Sequence, residues 1–398
     1  MNMNIRSLFL EHVAQTSDSP MLGVHIDIEY AKGSWLYDYN KRAYLDLISG
    51  ISVSSIGHCH PKVQAAITNQ TARFAHLMVF GEFAQQPQVH YMQQLMPYLP
   101  PSLNSIYYCN SGSEAIEGAL KLAKRATGRT QIISFKNAYH GSTHGALSLC
   151  SDFNFTKHSL PLMPDIHYLT FNCTADLDHI NEKTAAVVFE YIQAESGINT
   201  IELDFLNALT ARCKHYGVLL IADEIQSGFG RCGSFFAHQR FNHTPDILVL
   251  AKAMGGGLPI GAFIAPKSLM HTLSFNPSLG HLTTFGGNAV CIAAAYAVLE
   301  VLQEEKLVER ARTIEHCIKT HLSSSHIAHL RVEGAWAAVE FKTTETCFKI
   351  IKSALQNGLI TDWFLFNSKA LRLSPPLNIP LQDLKNALQQ LNLIIDHG

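Results

Sequence analysis

The sequence predicts an α/β protein whose core is a mainly parallel sheet. From about residue 105 onward, short apolar runs alternate with segments of helical periodicity, which indicates parallel strands joined by helices. The runs hold four or five residues and are mostly apolar, as expected of strands buried on both faces. Each run ends in polar or glycine-rich residues, and ligands of parallel sheets bind beyond these carboxyl ends.

Six runs are predicted as strands of this sheet. They are Ile106–Cys109, Gln131–Phe135, Ala186–Phe189, Val218–Ile221, Ile247–Leu250 and Ala262–Ala265. Outside this pattern we predict a strand at Trp35–Asp38, one long helix at Ala289–Leu307, a strand at Ala337–Phe341, a helix near Phe348–Gln356 and a final helix at Leu381–Ile395. We therefore expect a large domain of residues 46–287 and a smaller α+β domain of residues 1–45 and 288–398.

Composition excludes several classes of protein. The 398 residues include 30 Lys and Arg against 32 Asp and Glu, so the formal net charge of −2 offers no basic surface for nucleic acid or anionic membranes. The longest apolar run, Cys291–Leu299, is far shorter than a membrane-spanning helix, and Glu11 interrupts the short apolar stretch that a secretory signal would need. Nine cysteines without a CxxC pair indicate thiols in a reducing compartment. We expect a cytoplasmic protein that binds neither nucleic acid nor membranes.

The first predicted strand leads into Asn110–Ala115, a turn of small residues that opens a helix. Gly112 and Ser113 would present backbone N–H groups at the positive end of the helix dipole, which is an anion-binding arrangement. An ordinary serine N-cap with Glu114 in the first turn fits the same residues.

Aromatic and acidic residues follow the second and third strands. Tyr139 with His140 would stack on a planar cofactor, and the alternative is a tyrosine packed in the core with its hydroxyl satisfied. Glu190 and Glu195 are either solvated loop residues or carboxylates in a pocket that face a cationic group.

An acid and a lysine follow the fourth and fifth strands. Asp223 comes directly after apolar residues, where an acid is costly to bury without a partner, so it either holds a cationic nitrogen or caps a helix. Lys252 leads into Gly255–Gly257. If Lys252 is buried, its pKa is lowered and it becomes a nucleophilic amine. The alternative is a lysine whose side chain reaches solvent from the strand end.

The order of these motifs points to one cofactor. Pyridoxal 5′-phosphate needs an amine for its aldehyde, a carboxylate that keeps its pyridine nitrogen protonated, a phosphate site and a stacking face. Gly112 and Ser113, Tyr139, Asp223 and Lys252 would supply these at successive strand ends. The sequence therefore predicts a pyridoxal-phosphate enzyme.

The sequence resembles the class III pyridoxal-phosphate aminotransferases, the subgroup of acetylornithine, ornithine and 4-aminobutyrate aminotransferases. The motifs that carry the resemblance are Ser111–Ala115, Asp223–Arg231, Ala251–Gly257 and Thr283–Asn288. The resemblance implies a fold-type I transferase that works as a homodimer. It also implies transfer of the amino group of an ω-amino acid, an N-acetylornithine-like compound or a diamine to 2-oxoglutarate by a ping-pong mechanism.

The resemblance assigns roles to the residues that contact the cofactor. Lys252 would form the Schiff base and move the proton of the substrate, and Asp223 would pair with the pyridinium nitrogen. Gln226 would donate a hydrogen bond to the phenolic oxygen of the ring, while Gly112 and Ser113 hold the phosphate.

Other residues are assigned to the surroundings of the cofactor and to a neighbouring subunit. Tyr139 would stack on the ring, with His140 and Glu190 beside the cofactor. Thr284 would reach the phosphate of the neighbouring subunit's cofactor, so that activity requires a homodimer.

The same resemblance assigns substrate recognition and shows one departure that concerns it. Arg372 would bind the α-carboxylate of glutamate or 2-oxoglutarate, and Glu195 would pair with Arg372 while the other substrate is bound. Ser142 stands where the family usually has an arginine that in several members holds the carboxylate of the ω-amino substrate. A diamine, a longer ω-amino compound or a less charged amine is therefore favoured. Trp363, Phe364 and Phe366 would line its pocket or pack in the core.

Three further classes of function are weighed against an aminotransferase. A related aminomutase or decarboxylase would share the cofactor, and an amine–pyruvate transaminase would share the chemistry. A dinucleotide-binding oxidoreductase is not favoured, because no G-x-G-x-x-G fingerprint follows a predicted strand in this sequence. His58 and His60 form the densest cluster of potential metal ligands, but without a completing set of ligands we predict no metal site.

Overall fold

The computed structural model describes residues 5–14 and 25–397, so the predicted parts of the small domain in residues 1–4, 15–24 and 398 lie outside the described residues. The strands are β1 Ile28–Lys32, β2 Trp35–Asp38, β3 Ala43–Asp46, β4 Ser105–Cys109, β5 Gln131–Phe135, β6 Ile166–Leu169, β7 Thr184–Phe189, β8 Ile192–Gln193, β9 Asn199–Thr200, β10 Leu219–Asp223, β11 Ile247–Ala251, β12 Gly261–Ala265, β13 His329–Val332, β14 Ala337–Glu340, β15 Leu359–Ile360, β16 Asp362–Phe364 and β17 Asn367–Leu373.

Helices fill much of the chain between these strands. The α-helices are α1 Ile5–His12, α2 Ser49–Ser52, α3 Pro61–Arg73, α4 Gln86–Leu95, α5 Gly112–Thr127, α6 His144–Leu147, α7 Phe153–Thr156, α8 Leu203–Tyr216, α9 Lys267–Met270, α10 Ala289–Glu304, α11 Leu307–His321, α12 Thr344–Gln356 and α13 Leu381–His397. Short 3₁₀ helices are Met96–Tyr98, Lys157–Ser159, Thr174–His179, Ala237–Phe241, Lys252–Gly255 and His271–Ser274. Within the described part of the chain, no helix is long and apolar enough to cross a membrane.

The largest sheet has seven strands in the order β4-β12-β11-β10-β7-β5-β6. Strands β6, β5, β7, β10 and β11 run parallel to one another, and β12 pairs antiparallel with both β11 and β4. This confirms an α/β fold with a mainly parallel sheet. The carboxyl ends of β4, β5, β7, β10 and β11 consequently meet at one edge.

Each of the six predicted runs overlaps a strand of this sheet, whereas β6 was not predicted. Strand β6 lies at the edge of the sheet, and only one of its four residues is buried. A search for continuous apolar runs therefore passes over it.

The strands form because their apolar residues serve two cores at once. In β10, Leu220 belongs to the core on one face of the sheet and Ile221 to the core on the other face. Leu248 and Val249 of β11 divide in the same way. A strand buried on both faces needs apolar residues at consecutive positions, which explains why these runs do not alternate with polar residues.

Both ends of the chain contribute to smaller sheets. Strands β1, β2 and β3 form a sheet with β15, and a second sheet has the order β13-β14-β17-β16. The predicted domain boundaries at residues 45/46 and 287/288 stay a prediction. The helix predicted at Ala289–Leu307 is confirmed as far as Glu304 and wrong at its end, because Lys306 adopts a left-handed φ of 52° before α11 begins.

Candidate active site

A cavity of about 440 Å³ opens at the edge of the central sheet where the parallel strands end. Eight residues named in the sequence prediction line it: Gly112, Ser113, Tyr139, His140, Glu190, Asp223, Gln226 and Lys252. They lie at or after the carboxyl ends of β4, β5, β7, β10 and β11, so the parallel topology brings together residues that are far apart in the chain.

The N-terminus of helix α5 forms one wall of the cavity. Ser111 caps the helix and accepts a hydrogen bond from the backbone N–H of Glu114. A Cβ atom at Gly112 would lie 2.8 Å from Cδ1 of Ile225, so a larger residue there would require Ile225 to move. The positive end of the helix dipole and the exposed N–H groups of the first turn make this wall suited to an anion.

The turn after β5 closes over this wall. The backbone N–H of Ser142 donates to Oγ of Ser113 over 3.3 Å, and the hydroxyls of Tyr139 and Ser142 lie 3.1 Å apart. Gly141 has a φ of +133°, and a Cβ there would lie 2.2 Å from Oγ of Ser113. The glycine therefore permits the close contact between the turn and α5.

Asp223 is the last residue of β10, and its carboxylate borders the cavity. Its Oδ2 lies 2.7 Å from Nδ1 of His140, and its Oδ1 accepts from the backbone N–H of Ile225 over 2.9 Å. The other ring nitrogen of His140 is buried without a partner among the described residues. The histidine and the N–H group hold the carboxylate in one orientation, which leaves acceptor capacity for a group in the cavity.

Lys252 follows β11 directly and begins a short 3₁₀ helix with a left-handed φ of 49°. Such a backbone conformation is uncommon for a residue with a Cβ and occurs at functional sites. Burial lowers the pKa of the Lys252 amine, while Glu195 and Asp223 act in the opposite direction and leave the net shift downward. More of this amine is therefore neutral and nucleophilic than in an ordinary lysine.

Glu190 is a second buried acid in the cavity wall. One of its carboxylate oxygens accepts from the backbone N–H of Ala194 over 3.0 Å, and the other is buried without a partner in the described chain. Burial, reinforced by the negative charge of Asp223, raises the pKa of Glu190 well above its usual value. A protonated Glu190 would be a hydrogen-bond donor towards the cavity.

Arg372 of β17 and Glu195 form a buried bidentate ion pair next to the cavity. The two N···O distances are 2.8 and 2.7 Å, and the exposed fractions are 1% for Arg372 and 4% for Glu195. The guanidinium also lies 4.5 Å from the ring centroid of Phe364. Burial raises the pKa of Glu195, but the charge and hydrogen bonds of Arg372 outweigh it, so the net pKa is lowered.

Three predictions concern residues that lie outside the cavity. Thr284 is exposed on the surface of the same chain, and its role in a neighbouring subunit stays a prediction. His58 contacts Asp46 over 2.7 Å, and in residues 5–14 and 25–397 no group of three or more His, Cys, Asp or Glu is placed to hold a metal ion. Trp363 lies partly buried against Phe348, as in the packing alternative.

Some residues of the cavity wall were not predicted. Val53, Ile225 and the segment Leu258–Ile260 also line it. The glycines before Leu258 were a usable signal, because a flexible loop directly after Lys252 must run close to whatever the lysine binds. Ile225 carries no such signal, since its contact with Gly112 depends on the chain folding back between β10 and α5.

The chemistry of these side chains fits pyridoxal 5′-phosphate. The α5 N-terminus suits its phosphate, Asp223 suits its pyridine nitrogen and Lys252 suits its aldehyde. Buried polar atoms without partners in the described chain belong to His140 and Glu190, which both line this cavity, as expected where a polar ligand completes the hydrogen bonding.

Comparison with known proteins agrees with this fit. The family model described as aminotransferase class-III matches residues 16–395. The chain is 35% identical to an acetylornithine aminotransferase of Archaeoglobus fulgidus, over 91% of this chain and 93% of the relative. It is 34% identical to that of Bacillus subtilis, over 94% and 95%.

Solved structures show the same fold. An ornithine aminotransferase from Toxoplasma gondii superposes with a TM-score of 0.88 at 26% identity, covering 98% of this chain and 93% of that one. A transaminase from the marine bacterium Virgibacillus superposes with a TM-score of 0.91 at 22% identity, covering 98% of each chain, which shows the fold alone. The match of the family model and the identity to these relatives together place the chain in the class-III aminotransferases, a family of pyridoxal-phosphate-dependent transaminases of fold type I.

Proposed function

We propose that this transaminase moves the amino group of an ω-amino acid, an N-acetylornithine-like compound or a diamine to 2-oxoglutarate in two ping-pong half-reactions. The observation that carries the proposal is the buried Arg372–Glu195 pair beside the cavity that holds Lys252. One cation with a competing internal carboxylate suits an enzyme that must accept a carboxylate in one half-reaction and exclude it in the other. The names of the acetylornithine and ornithine aminotransferase relatives support the same substrate class.

Asp223 and Lys252 would carry the chemistry shared by both half-reactions. When bound, the cofactor supplies an aldehyde that receives the amino group and a protonated ring that withdraws electrons from the substrate carbon bearing that group. Asp223 would keep the proton on the ring nitrogen, because His140 and the Ile225 N–H hold its carboxylate towards the cavity. Lys252, with its lowered pKa, would take a proton from the substrate carbon that bears the amino group and return one to the cofactor carbon that carried the aldehyde.

Arg372 and Glu195 would distinguish the two substrates. A donor that reacts through its ω-amino group brings no α-carboxylate to Arg372. Glu195 therefore stays paired with Arg372, and we call this the closed arrangement. The α-carboxylate of 2-oxoglutarate would replace Glu195 on the guanidinium, which offers the same planar fork to either carboxylate.

Ser142 bears on the identity of the donor. Its hydroxyl lies 3.1 Å from that of Tyr139 at the exposed rim of the cavity, where the resemblance places an arginine. Two hydroxyls in place of a guanidinium favour a donor whose distal end is neutral or cationic over one that ends in a carboxylate.

We further propose a homodimer with Thr284 contributed across the interface. Phe80, Leu279, Leu282 and Phe285 surround this threonine segment and are 40%, 50%, 51% and 57% exposed, respectively. Phe80, Leu279 and Leu282 also border a cavity of about 410 Å³ on this surface. A large apolar surface of this kind marks an interaction site, and a second copy of the chain is the occupant that the resemblance implies.

The cytoplasm is the compartment that we propose. All nine cysteines lie in the described part of the chain and are free thiols, and six of them are buried. Free buried thiols are typical of proteins from reducing compartments.

A donor panel tests the main proposal. Diamines, ω-amino acids and N-acetylornithine are each incubated with the holoenzyme and 2-oxoglutarate, and glutamate is quantified. We expect a donor alone to abolish the visible absorbance of the bound cofactor, and 2-oxoglutarate to restore it, as separate half-reactions require. Donor consumption without glutamate, or with release of CO₂, would instead identify an aminomutase or a decarboxylase, and alanine formed only from pyruvate would identify a different acceptor.

A Ser142→Arg variant tests the donor class. An added guanidinium at this exposed rim should improve kcat/KM for donors that end in a carboxylate by a few-fold, about 0.2–1 kcal/mol, and should worsen it for diamines. Ser142→Gln is the control for a longer polar side chain without charge. Equal effects of the two variants would show that size rather than charge at the rim selects the donor.

Mixing two inactive variants tests the dimer. Lys252→Ala removes the amine of one subunit and Thr284→Ala removes the hydroxyl of the other. If Thr284 acts across the interface, subunit exchange creates one intact site per hybrid dimer and activity returns. If Thr284 acted within its own chain, no intact site would form and the mixture would stay inactive.

A further inference from the structure

Gln226 lies between the cavity and the Arg372–Glu195 pair. It lines the cavity, and its side-chain amide contacts both members of the pair. Its Oε1 accepts from Nη1 of Arg372 over 3.1 Å, and its Nε2 donates to Oε1 of Glu195 over 3.3 Å. The amide is therefore oriented by charge, because its oxygen faces the cation and its NH₂ group faces the carboxylate.

The closed pair is fully hydrogen-bonded around Glu195. Oε1 accepts from Arg372 and Gln226, and Oε2 accepts from Arg372 and from the backbone N–H of Leu365 over 3.1 Å. These four donors fill the four acceptor positions of a carboxylate. A substrate carboxylate that displaces Glu195 from Arg372 must therefore also separate Glu195 from Gln226, or leave Glu195 held there without its cation.

The two contacts of Gln226 respond differently to this displacement. Oε1 would stay on Arg372 whichever carboxylate the guanidinium holds. The bond from Nε2 to Glu195 belongs to the closed pair, and in a site where both charges are at most 4% exposed, water does not replace it at low cost. Gln226 thus stabilises the closed arrangement more than the open one.

We propose that Gln226 is a positioning residue that holds the Arg372–Glu195 pair closed and thereby sets the balance between the two substrates. It favours donors that bind while the pair is closed, and it opposes acceptors whose α-carboxylate must open the pair. The inference rests on the proposed function of the pair. It goes beyond that function because it assigns to Gln226 a role towards the substrate in addition to the contact with the cofactor ring that the resemblance implies.

Gln226→Met tests the role, because methionine has a similar volume and no polar group. We expect KM for 2-oxoglutarate to fall by about three- to tenfold, since the pair opens more readily, and KM for the donor to rise. If Gln226 had a purely structural role, the variant would bind both substrates more weakly. If its role were limited to the cofactor ring, the variant would change kcat in both half-reactions. A rise or no change in KM for 2-oxoglutarate would overturn the proposal.

A double-mutant cycle with Glu195→Ala distinguishes an effect of Gln226 on the Arg372–Glu195 pair from an effect of Gln226 on the cofactor. If Gln226 acts by holding Glu195, then adding Gln226→Met to Glu195→Ala leaves KM for 2-oxoglutarate where Glu195→Ala alone puts it. An unchanged effect of Gln226→Met in that background would place its action on the cofactor and overturn the proposal. Gln226→Asn, which retains an amide but is too short for both contacts, repeats the cycle if the methionine variant does not fold.

A binding measurement makes the result independent of turnover. The holoenzyme is titrated with glutarate, which has the two carboxylates of 2-oxoglutarate but no keto group, and Kd is measured by calorimetry. We expect tighter binding to Gln226→Met than to the wild type. A wild-type enzyme that neither binds glutarate nor uses 2-oxoglutarate would refute the proposed function itself, whereas a wild-type enzyme that does both with no shift in the variant would refute only the role of Gln226.

Discussion

Two buried carboxylates stand next to each other at the end of β10, and each contacts a buried histidine. Oδ2 of Asp223 lies 2.7 Å from Nδ1 of His140, and Oε1 of Glu224 lies 2.8 Å from Nδ1 of His238. Asp223 is 6% exposed and Glu224 is fully buried. By residue type and burial the two pairs are nearly equivalent, yet only Asp223 borders the cavity.

The difference lies in what else binds each carboxylate. Glu224 accepts from the backbone N–H groups of Ala237 and His238 and from the hydroxyl of Ser227, so its acceptor positions are filled by the protein. Asp223 accepts from His140 and one backbone N–H, and the rest of its capacity faces the cavity. A buried acid–histidine pair is therefore not in itself evidence of a functional site. Acceptor capacity that the protein leaves open towards a cavity is the distinguishing feature.

Replacing the two acids by their amides should separate the roles most clearly. Asp223→Asn keeps the shape and an acceptor for His140 but removes the charge that holds a proton on the cofactor ring. We expect kcat to fall on the order of 10²- to 10³-fold, as when an aligned electrostatic contact is removed from an active site. Steady-state rates with the best donor measure this, with Glu224→Gln as the matched control. Near-normal turnover of Asp223→Asn would contradict the conclusion that Asp223, unlike Glu224, acts in catalysis.

The reverse effect is expected on stability. In Glu224→Gln the new NH₂ group meets backbone N–H donors that had a carboxylate partner, and His238 loses its carboxylate partner. Leaving a buried polar group without its hydrogen-bond partner costs about 1–3 kcal/mol. Urea unfolding of Glu224→Gln and Asp223→Asn measures the two losses under identical conditions. An equal loss in both variants would contradict a structural role confined to Glu224.

Much of the candidate site was predictable because parallel topology places strand ends together. Asp223 and Lys252 follow apolar runs directly, so the carboxyl edge of the sheet could be read from the sequence without knowing the packing. Glu224 shows the limit of that reasoning. It follows the same run, and its structural role depends on Ala237 and His238 folding back onto it, which is a tertiary contact without a local signal.

Other features were inaccessible to sequence patterns for related reasons. Glu195 and Arg372 are 177 residues apart, so their pairing came from the resemblance and not from spacing. The break between α10 and α11 rests on one left-handed residue, Lys306, within a stretch whose composition suits a continuous helix. Whether the protein fills all acceptor positions of a buried carboxylate likewise depends on donors that are far apart in the sequence.

The surroundings of the Glu224 pair also predict a smaller, pH-dependent effect on stability. The ring of His243 lies 2.5 Å from the hydroxyl of Tyr191 and 3.0 Å from that of Thr210, and burial, with the nearby His238, lowers the pKa of His243 from 6.5 to about 4. Between these values the unfolded chain binds a proton that the folded chain does not. The free energy of unfolding therefore falls as pH decreases from about 6.5 to about 4.

Replacing His243 by glutamine should remove this part of the pH dependence. Because the ring is only partly buried, we expect the wild type to lose about 2 kcal/mol or less relative to His243→Gln across that range. Urea unfolding at closely spaced pH values measures the difference in slope, and His215→Gln, at an exposed position of α8, the helix that also holds Thr210, controls for removal of a histidine. Parallel curves for the wild type and His243→Gln would show that the surroundings of Glu224 tolerate a protonated His243. They would contradict the inference that burial keeps His243 neutral in the folded chain.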